Sequence, residues 1–187
     1  IAILALKGAA LHRRGVCRVG ERPMGDIDLL VRPEQVSAAT AMLLSLGYTA
    51  TATTWRHGIF VAGSVPARDE FGELPDSQIK IELHSRIVER LPASEVDITP
   101  GLLPDVGTVG LRDYVSNAAL MRHLLLHAAG NMVSKWLRLL QLHDIDALAR
   151  LMTADDWQQL AGVGEHVRGL WWAYPPLRMT ERYFSTP

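Results

Sequence analysis

The chain has 187 residues, of which 48% are hydrophobic and 21% are charged, and its formal net charge is −1. This length and hydrophobic content allow one domain, or one domain with a small addition, around a sizeable core. The near-zero charge disfavours a long nucleic acid or an anionic membrane as partner, and no apolar run approaches the roughly 18 residues of a membrane-spanning helix.

The single cysteine, Cys17, excludes an internal disulfide and favours a reducing cytoplasm as the location. The chain begins at Ile1 without the charged leader of a signal peptide, and we expect further residues upstream of it.

The first elements are a short apolar segment at residues 2–6, which fits a strand or the end of a helix, and a helix over residues 9–14. Lys7 and Gly8 lie between them. Amides at the start of a helix bind phosphate, and glycine lets a ligand come close, so this pair is a candidate phosphate site; a turn with a solvated lysine is the alternative. Arg22, in the following loop, is either a second phosphate contact or an exposed arginine.

Residues 25–31 read Gly-Asp-Ile-Asp-Leu-Leu-Val, which predicts a short buried strand. Successive strand side chains point to opposite faces, so Asp26 and Asp28 share one face. Two adjacent carboxylates repel each other unless a cation lies between them, and Mg²⁺ accepts one or two carboxylates together with phosphate oxygens. The alternative is an edge strand with two solvated aspartates.

The next predicted elements alternate between helix and strand. Apolar residues at helical spacing, with a proline at the start and a glycine at the end, predict a helix over residues 33–47. Strands are expected at 48–55 and 59–62, separated by a turn at 56–58. Residues 63–78 contain few apolar side chains, and we interpret them as a mobile loop beside the site.

Residues 77–84 form the clearest alternating segment of the chain: Ile79, Ile81 and Leu83 face one way, and Lys80, Glu82 and His84 share the polar face. If this strand lies beside the aspartate strand, Glu82 adds a third carboxylate, as two-metal phosphoryl chemistry requires. The alternative for Glu82 is an exposed residue in a cross-strand ion pair.

Three segments follow from these patterns: a mixed region at residues 1–90, a linker without periodicity at 91–111, and a helical subdomain at 112–187. Four helices are predicted in the last segment: one capped by Asp113 and continuing toward Gly130, one over 133–151, one beginning at Asp155, and one within 169–183.

The helical subdomain offers a second set of metal ligands. His123 and His127 have the i, i+4 spacing that can hold zinc, although Leu124 stands where a zinc peptidase requires glutamate. The pair His143 and Asp144 resembles the motif of HD-type metal phosphohydrolases. The alternative is helix-face histidines that make ordinary hydrogen bonds.

Several segments together resemble the nucleotidyltransferase superfamily with the DNA polymerase β-like catalytic fold, and in particular a poorly characterised bacterial branch that opens with Leu-Lys-Gly. These segments are residues 6–11, Arg22, 25–31, 46–48 and 81–84, with 126–127, 136–138 and 143–145 in the helical portion.

The resemblance implies an α+β fold, with a small mixed β-sheet backed by helices and followed by a C-terminal helical bundle. It implies transfer of a nucleoside monophosphate from a nucleoside triphosphate to an acceptor hydroxyl, with release of pyrophosphate. Mg²⁺ is the expected metal and Mn²⁺ the alternative; ATP is the expected nucleotide. By this resemblance Asp26, Asp28 and Glu82 are metal ligands and catalytic residues, and Glu82 aids deprotonation of the acceptor.

The phosphate loop departs from the superfamily pattern. The resemblance places Gly8 against the triphosphate, but Ala9 stands where the superfamily usually has a serine. We expect Lys7 or Arg22 to replace the missing hydroxyl contact. The acceptor is expected to be a small molecule or a protein. A degenerate domain that binds a nucleotide or a partner without chemistry is the alternative.

Overall fold

The computed structural model describes residues 1–18, 20–54, 57–62, 80–103, 107–162 and 169–185. The chain forms two compact units: Ile1–Ile87 with Leu102–Asp113, and Val88–Gly101 with Tyr114–Pro187. The α+β class is confirmed. The loop predicted at residues 63–78 lies outside the described residues.

The strands are β1 (Ala2–Ala5), β2 (Asp26–Leu30), β3 (Tyr48–Thr53), β4 (His57–Ala62), β5 (Lys80–His84), β6 (Val88–Arg90), β7 (Glu95–Asp97) and β8 (Gly110–Arg112). Six of them form one sheet in the order β3-β4-β5-β2-β1-β8. The sheet is mixed, because β2 runs parallel to β5 and β1 parallel to β8, while the other neighbours are antiparallel.

The helices are α1 (Lys7–Arg13), α2 (Val36–Ser45), α3 (Asn117–Ser134), α4 (Leu139–Ala149), α5 (Ala154–Gly162) and α6 (Tyr174–Phe184). Helix α1 begins two residues earlier than predicted. The predicted 33–47 helix is divided into a 3₁₀ turn at Pro33–Gln35 followed by α2.

The apolar face of β5 helps to form the core of the first unit. Ile81 and Leu83 are buried in one cluster with Phe60 of β4 and with Leu43 of α2. The alternation predicted for this strand is therefore confirmed over its described part. Because strand side chains alternate, Lys80, Glu82 and His84 lie on the opposite face of the sheet.

The second unit is largely helical. Helices α3, α4 and α6 pack against one another, α5 packs against α3, and the β6–β7 hairpin contacts α3. Side chains that are fully buried here include Leu120, Met121, Leu125, Leu142 and Ile145. None of the described helices is long and apolar enough to cross a membrane.

The predicted limits of the first two helices in this region were wrong. The N-cap of α3 is Ser116, whose hydroxyl accepts a hydrogen bond from the Ala119 amide at 3.2 Å, whereas Asp113 pairs with Arg13 in the first unit. Helix α3 continues past Gly130, and α4 is shorter than the predicted 133–151 helix, because Lys135 adopts a left-handed conformation that ends α3.

The segment at residues 91–111, predicted as a linker, contributes to both units. It carries β7 and a 3₁₀ turn at Thr99–Gly101 in the second unit, and it includes the start of β8 in the first. Strands of three residues, such as β7 and β8, are too short to show a periodicity in the sequence.

Candidate active site

The parallel pairing of β2 with β5 assembles the predicted carboxylates. In this register Asp26 lies opposite Lys80, and Asp28 lies opposite Glu82. Alternate residues of a strand share a face, so both aspartates and Glu82 lie on the face of the sheet opposite the Ile81 cluster. The structure thus brings together the three acidic residues that the sequence singled out.

Two histidines complete this group. Nε2 of His84 donates a hydrogen bond to Oδ1 of Asp28 at 2.9 Å and lies 3.8 Å from Oε2 of Glu82. Nε2 of His57 lies 3.4 Å from the same Glu82 oxygen, and the two imidazole rings are 4.7 Å apart between centroids. Burial lowers the pKa of His57, although attraction to Glu82 acts in the opposite direction. The lowered pKa favours the neutral imidazole.

Sequence reasoning placed neither histidine in the site. His84 carried a usable signal, because it follows Glu82 on the polar face of the predicted strand. His57 carried none: it was predicted as a turn residue, but it begins β4, where antiparallel pairing places it opposite His84.

Two lysines form ion pairs with two of the three carboxylates. Nζ of Lys7 lies 2.6 Å from Oδ1 of Asp28, and Nζ of Lys80 lies 2.7 Å from Oε1 of Glu82. Lys7 has a backbone φ of +44°, which is uncommon for a residue other than glycine and persists only where its surroundings hold it. Its ion pair with the buried Asp28 is one such restraint.

The electrostatics differ between the two aspartates. Burial would raise the pKa of Asp28, but Lys7 and the hydrogen bond from His84 outweigh it and hold that pKa well below its usual range. The pKa of Asp26 is raised, first by burial and then by repulsion from the neighbouring acidic groups. Attraction to Asp28 likewise outweighs burial at Lys7 and raises the pKa of that lysine. Of the two aspartates, Asp26 is therefore the one whose negative charge the cations of the chain compensate less.

The structure also brings Arg22 to Gly8. Gly8 is buried in the first turn of α1, and a Cβ atom built there would overlap the guanidinium of Arg22. Arg22 donates a hydrogen bond to the Pro23 carbonyl at 3.2 Å, and its own carbonyl oxygen lies 3.2 Å from Nε2 of His12. A glycine is required at this position for the guanidinium to lie against the helix start.

The histidines of the helical unit have other contacts. The Tyr114 hydroxyl lies 2.5 Å from Nδ1 of His123, Nε2 of His127 lies 3.1 Å from the side-chain amide nitrogen of Gln141, and the His143 ring meets an aromatic ring edge-on. Over the residues that the structure describes, none of the three belongs to a cluster that could hold a metal ion. The contacts of His123 and His127 fit the hydrogen-bonding alternative rather than a zinc site.

A family model described as an uncharacterised nucleotidyltransferase matches residues 1–184 of the chain. No curated protein gives a significant match. Among solved structures, the solution structure of the antibiotic-resistance factor ANT(2'')-Ia, reported to show substrate-regulated conformation dynamics, is similar with a TM-score of 0.53 at 16% sequence identity. The match covers 97% of this chain and 88% of that one, and at this identity it supports the fold.

Proposed function

Because the chain belongs to a family of nucleotidyltransferases, we propose that it moves a nucleoside monophosphate from a nucleoside triphosphate to a hydroxyl of a small-molecule or protein acceptor. The observation that supports this most is the pairing of Asp28 with Glu82 on parallel strands, with Asp26 on the same face. We assign the chemistry to residues 1–90 and a supporting role to the helical subdomain at 112–187. We also propose a cytoplasmic location, because a single cysteine without a disulfide partner in the chain is typical of a reducing compartment.

We propose that Asp26, Asp28 and Glu82 hold Mg²⁺, with Mn²⁺ as the alternative ion. The donor set fits, because these ions prefer oxygen ligands. The pKa of Asp26 is raised first by burial and then by repulsion from Asp28 and Glu82, and the two lysines offset this rise only in part. When bound, Mg²⁺ supplies positive charge for the triphosphate oxygens.

The residues of the chain have separate roles in the proposed transfer. Glu82 accepts the acceptor's hydroxyl proton while the hydroxyl oxygen attacks the α-phosphorus. The bond from that phosphorus to the bridging oxygen breaks, and pyrophosphate leaves. Lys7 and Arg22 supply positive charge to the triphosphate, and Gly8 lets it approach the start of α1.

The test is release of pyrophosphate by the purified chain with Mg²⁺, a nucleoside triphosphate and a set of acceptors. ATP is the first nucleotide to try. Antibiotics with free hydroxyls are the first acceptors, because the similar structure is that of an antibiotic-resistance factor. Binding of nucleotide without release of pyrophosphate with any acceptor would favour the degenerate binding domain, which the Gly8–Ala9 pair left open.

Asp26→Asn is the most informative variant for this test. It removes a carboxylate that Asp28 and Glu82 repel, so the fold should be at least as stable as in the parent chain. Turnover should fall about 10²-fold or more, the scale of losing one electrostatic stabiliser. Asp155→Asn, at an exposed position on α5, is the matched control. Transfer at the parental rate by both Asp26→Asn and Asp28→Asn would refute the proposed site.

A further inference from the structure

The two histidines and Glu82 form a group of ligand atoms with a geometry of its own. One donor atom from each of His57, Glu82 and His84 lies within 4.8 Å of the others. Nε2 of His57 is 3.4 Å and Nε2 of His84 is 3.8 Å from Oε2 of Glu82. In a tetrahedral zinc site with bonds of about 2.0–2.1 Å, ligand atoms are roughly 3.3–3.5 Å apart. Shifts of a few tenths of an ångström would bring both of these pairs to that spacing.

A fourth ligand is adjacent. Oδ1 of Asp28 accepts the hydrogen bond from Nε2 of His84 at 2.9 Å, so one proton lies between two atoms that both bind transition metals. A metal ion at that point would replace the proton, which would pass to solvent, and would add Asp28 to the set. The two carboxylate oxygens of Glu82 have different neighbours: Lys80 pairs with Oε1, while both imidazoles lie near Oε2. Oε2 can therefore bind the metal ion while Oε1 keeps its ion pair.

We propose that His57, Glu82 and His84, with Asp28 as the fourth ligand, form a binding site for one transition-metal ion of the zinc class. Two nitrogen and two oxygen donors suit Zn²⁺ or Co²⁺, whereas Mg²⁺ prefers oxygen ligands alone. This site differs from the proposed magnesium site by using both histidines and by omitting Asp26. Because the two sites share Asp28 and Glu82, a zinc-class ion would compete with Mg²⁺.

Co²⁺ titration of the full, tag-free chain tests the proposal directly. The protein is stripped with EDTA, dialysed, and titrated without nucleotide or Mg²⁺, while the visible absorption bands of tetrahedral Co²⁺ are followed. We expect saturation at one equivalent and loss of the bands on adding Zn²⁺. His57→Ala and His84→Ala should each weaken binding by at least about 100-fold, since loss of a mere outer-shell partner already weakens it 10–100-fold.

Three further variants make the result specific. His143→Ala, which removes a histidine outside the proposed ligand set, should bind Co²⁺ as the parent chain does. His57→Gln, checked for its fold by far-UV circular dichroism, repeats the His57→Ala test with a side chain of closer size. Asp26→Asn should bind Co²⁺ within about tenfold of the parent chain, because Asp26 is not a ligand in this site, although it should lose nucleotidyl transfer.

Three outcomes would overturn the proposal. The first is a parent chain that shows no tetrahedral Co²⁺ bands, and the second is a folded His57 variant that binds Co²⁺ like the parent chain. The third is loss of Co²⁺ binding in Asp26→Asn, which would place the ion among the carboxylates. The titration contains no nucleotide, so it tests metal binding independently of the proposed transfer reaction. Either proposal can therefore be refuted while the other stands.

Discussion

Removing either partner of the ion pair between Lys7 and Asp28 should strongly destabilise the fold. The side chains are only 16% and 6% exposed. Removing one partner of a buried pair costs about 3–5 kcal/mol, because the other charge stays buried without compensation. For a chain of this size that corresponds to a fall of about 6–20 °C in Tm. Asp28→Asn should lie at the lower end, since an amide can still hydrogen-bond to His84.

A double-mutant cycle separates this effect from lost packing. Lys7→Met, Asp28→Asn and the double variant are unfolded in urea with EDTA present, and far-UV circular dichroism reports the free energy of unfolding. Removing both charges leaves neither one uncompensated, so the double variant should be more stable than the sum of the single losses implies, by about 2–3 kcal/mol.

The exposed pair of Arg13 with Asp113 provides the matched control, because its side chains are 39% and 45% exposed. Water screens such a pair, so the same cycle there should show little coupling. Strictly additive losses for Lys7 and Asp28 would show that the charges are solvated in the folded protein, and the reasoning about the buried pair would then be wrong.

Three further predictions concern the phosphate loop, a helix cap and a surface pair. Gly8→Ala should displace the flexible guanidinium of Arg22 and raise KM for the nucleotide about tenfold, or about 1.4 kcal/mol, with little change in the urea midpoint; an unchanged KM would contradict it. Ser116→Ala should cost about 1 kcal/mol of unfolding free energy in urea, whereas Ser116→Asn should not. The hydrogen bond from Arg13 lowers the pKa of Asp113 below its usual 3.8. The small stabilisation from this exposed pair should therefore be present above that pH and be lost as the pH falls through the lowered pKa. NMR titration should show the Asp113 pKa rising in Arg13→Met.

Local sequence patterns predicted most helices and strands correctly, but they placed the first and last residues of these elements poorly. The alternation before His84 and the apolar run after Asp26 correctly indicated strands, because side-chain direction follows from backbone geometry alone. The start of α3 was misplaced, because Asp113 and Ser116 are both good N-caps and the sequence does not show that Arg13 pairs with the first of them. Helix ends depend on such competing partners.

For the site, the sequence by itself determined that Asp26 and Asp28 share one strand face and that Glu82 faces away from an apolar core. Only the tertiary structure decided that these strands are parallel neighbours with Asp28 opposite Glu82, and that His57 from a third strand lies beside them. The physical reason is the distance along the chain between the residues concerned. Alternation within one strand is local and follows from the backbone geometry of that strand alone. Register between strands more than fifty residues apart in sequence depends instead on which hydrogen bonds and buried surfaces the whole fold can satisfy together.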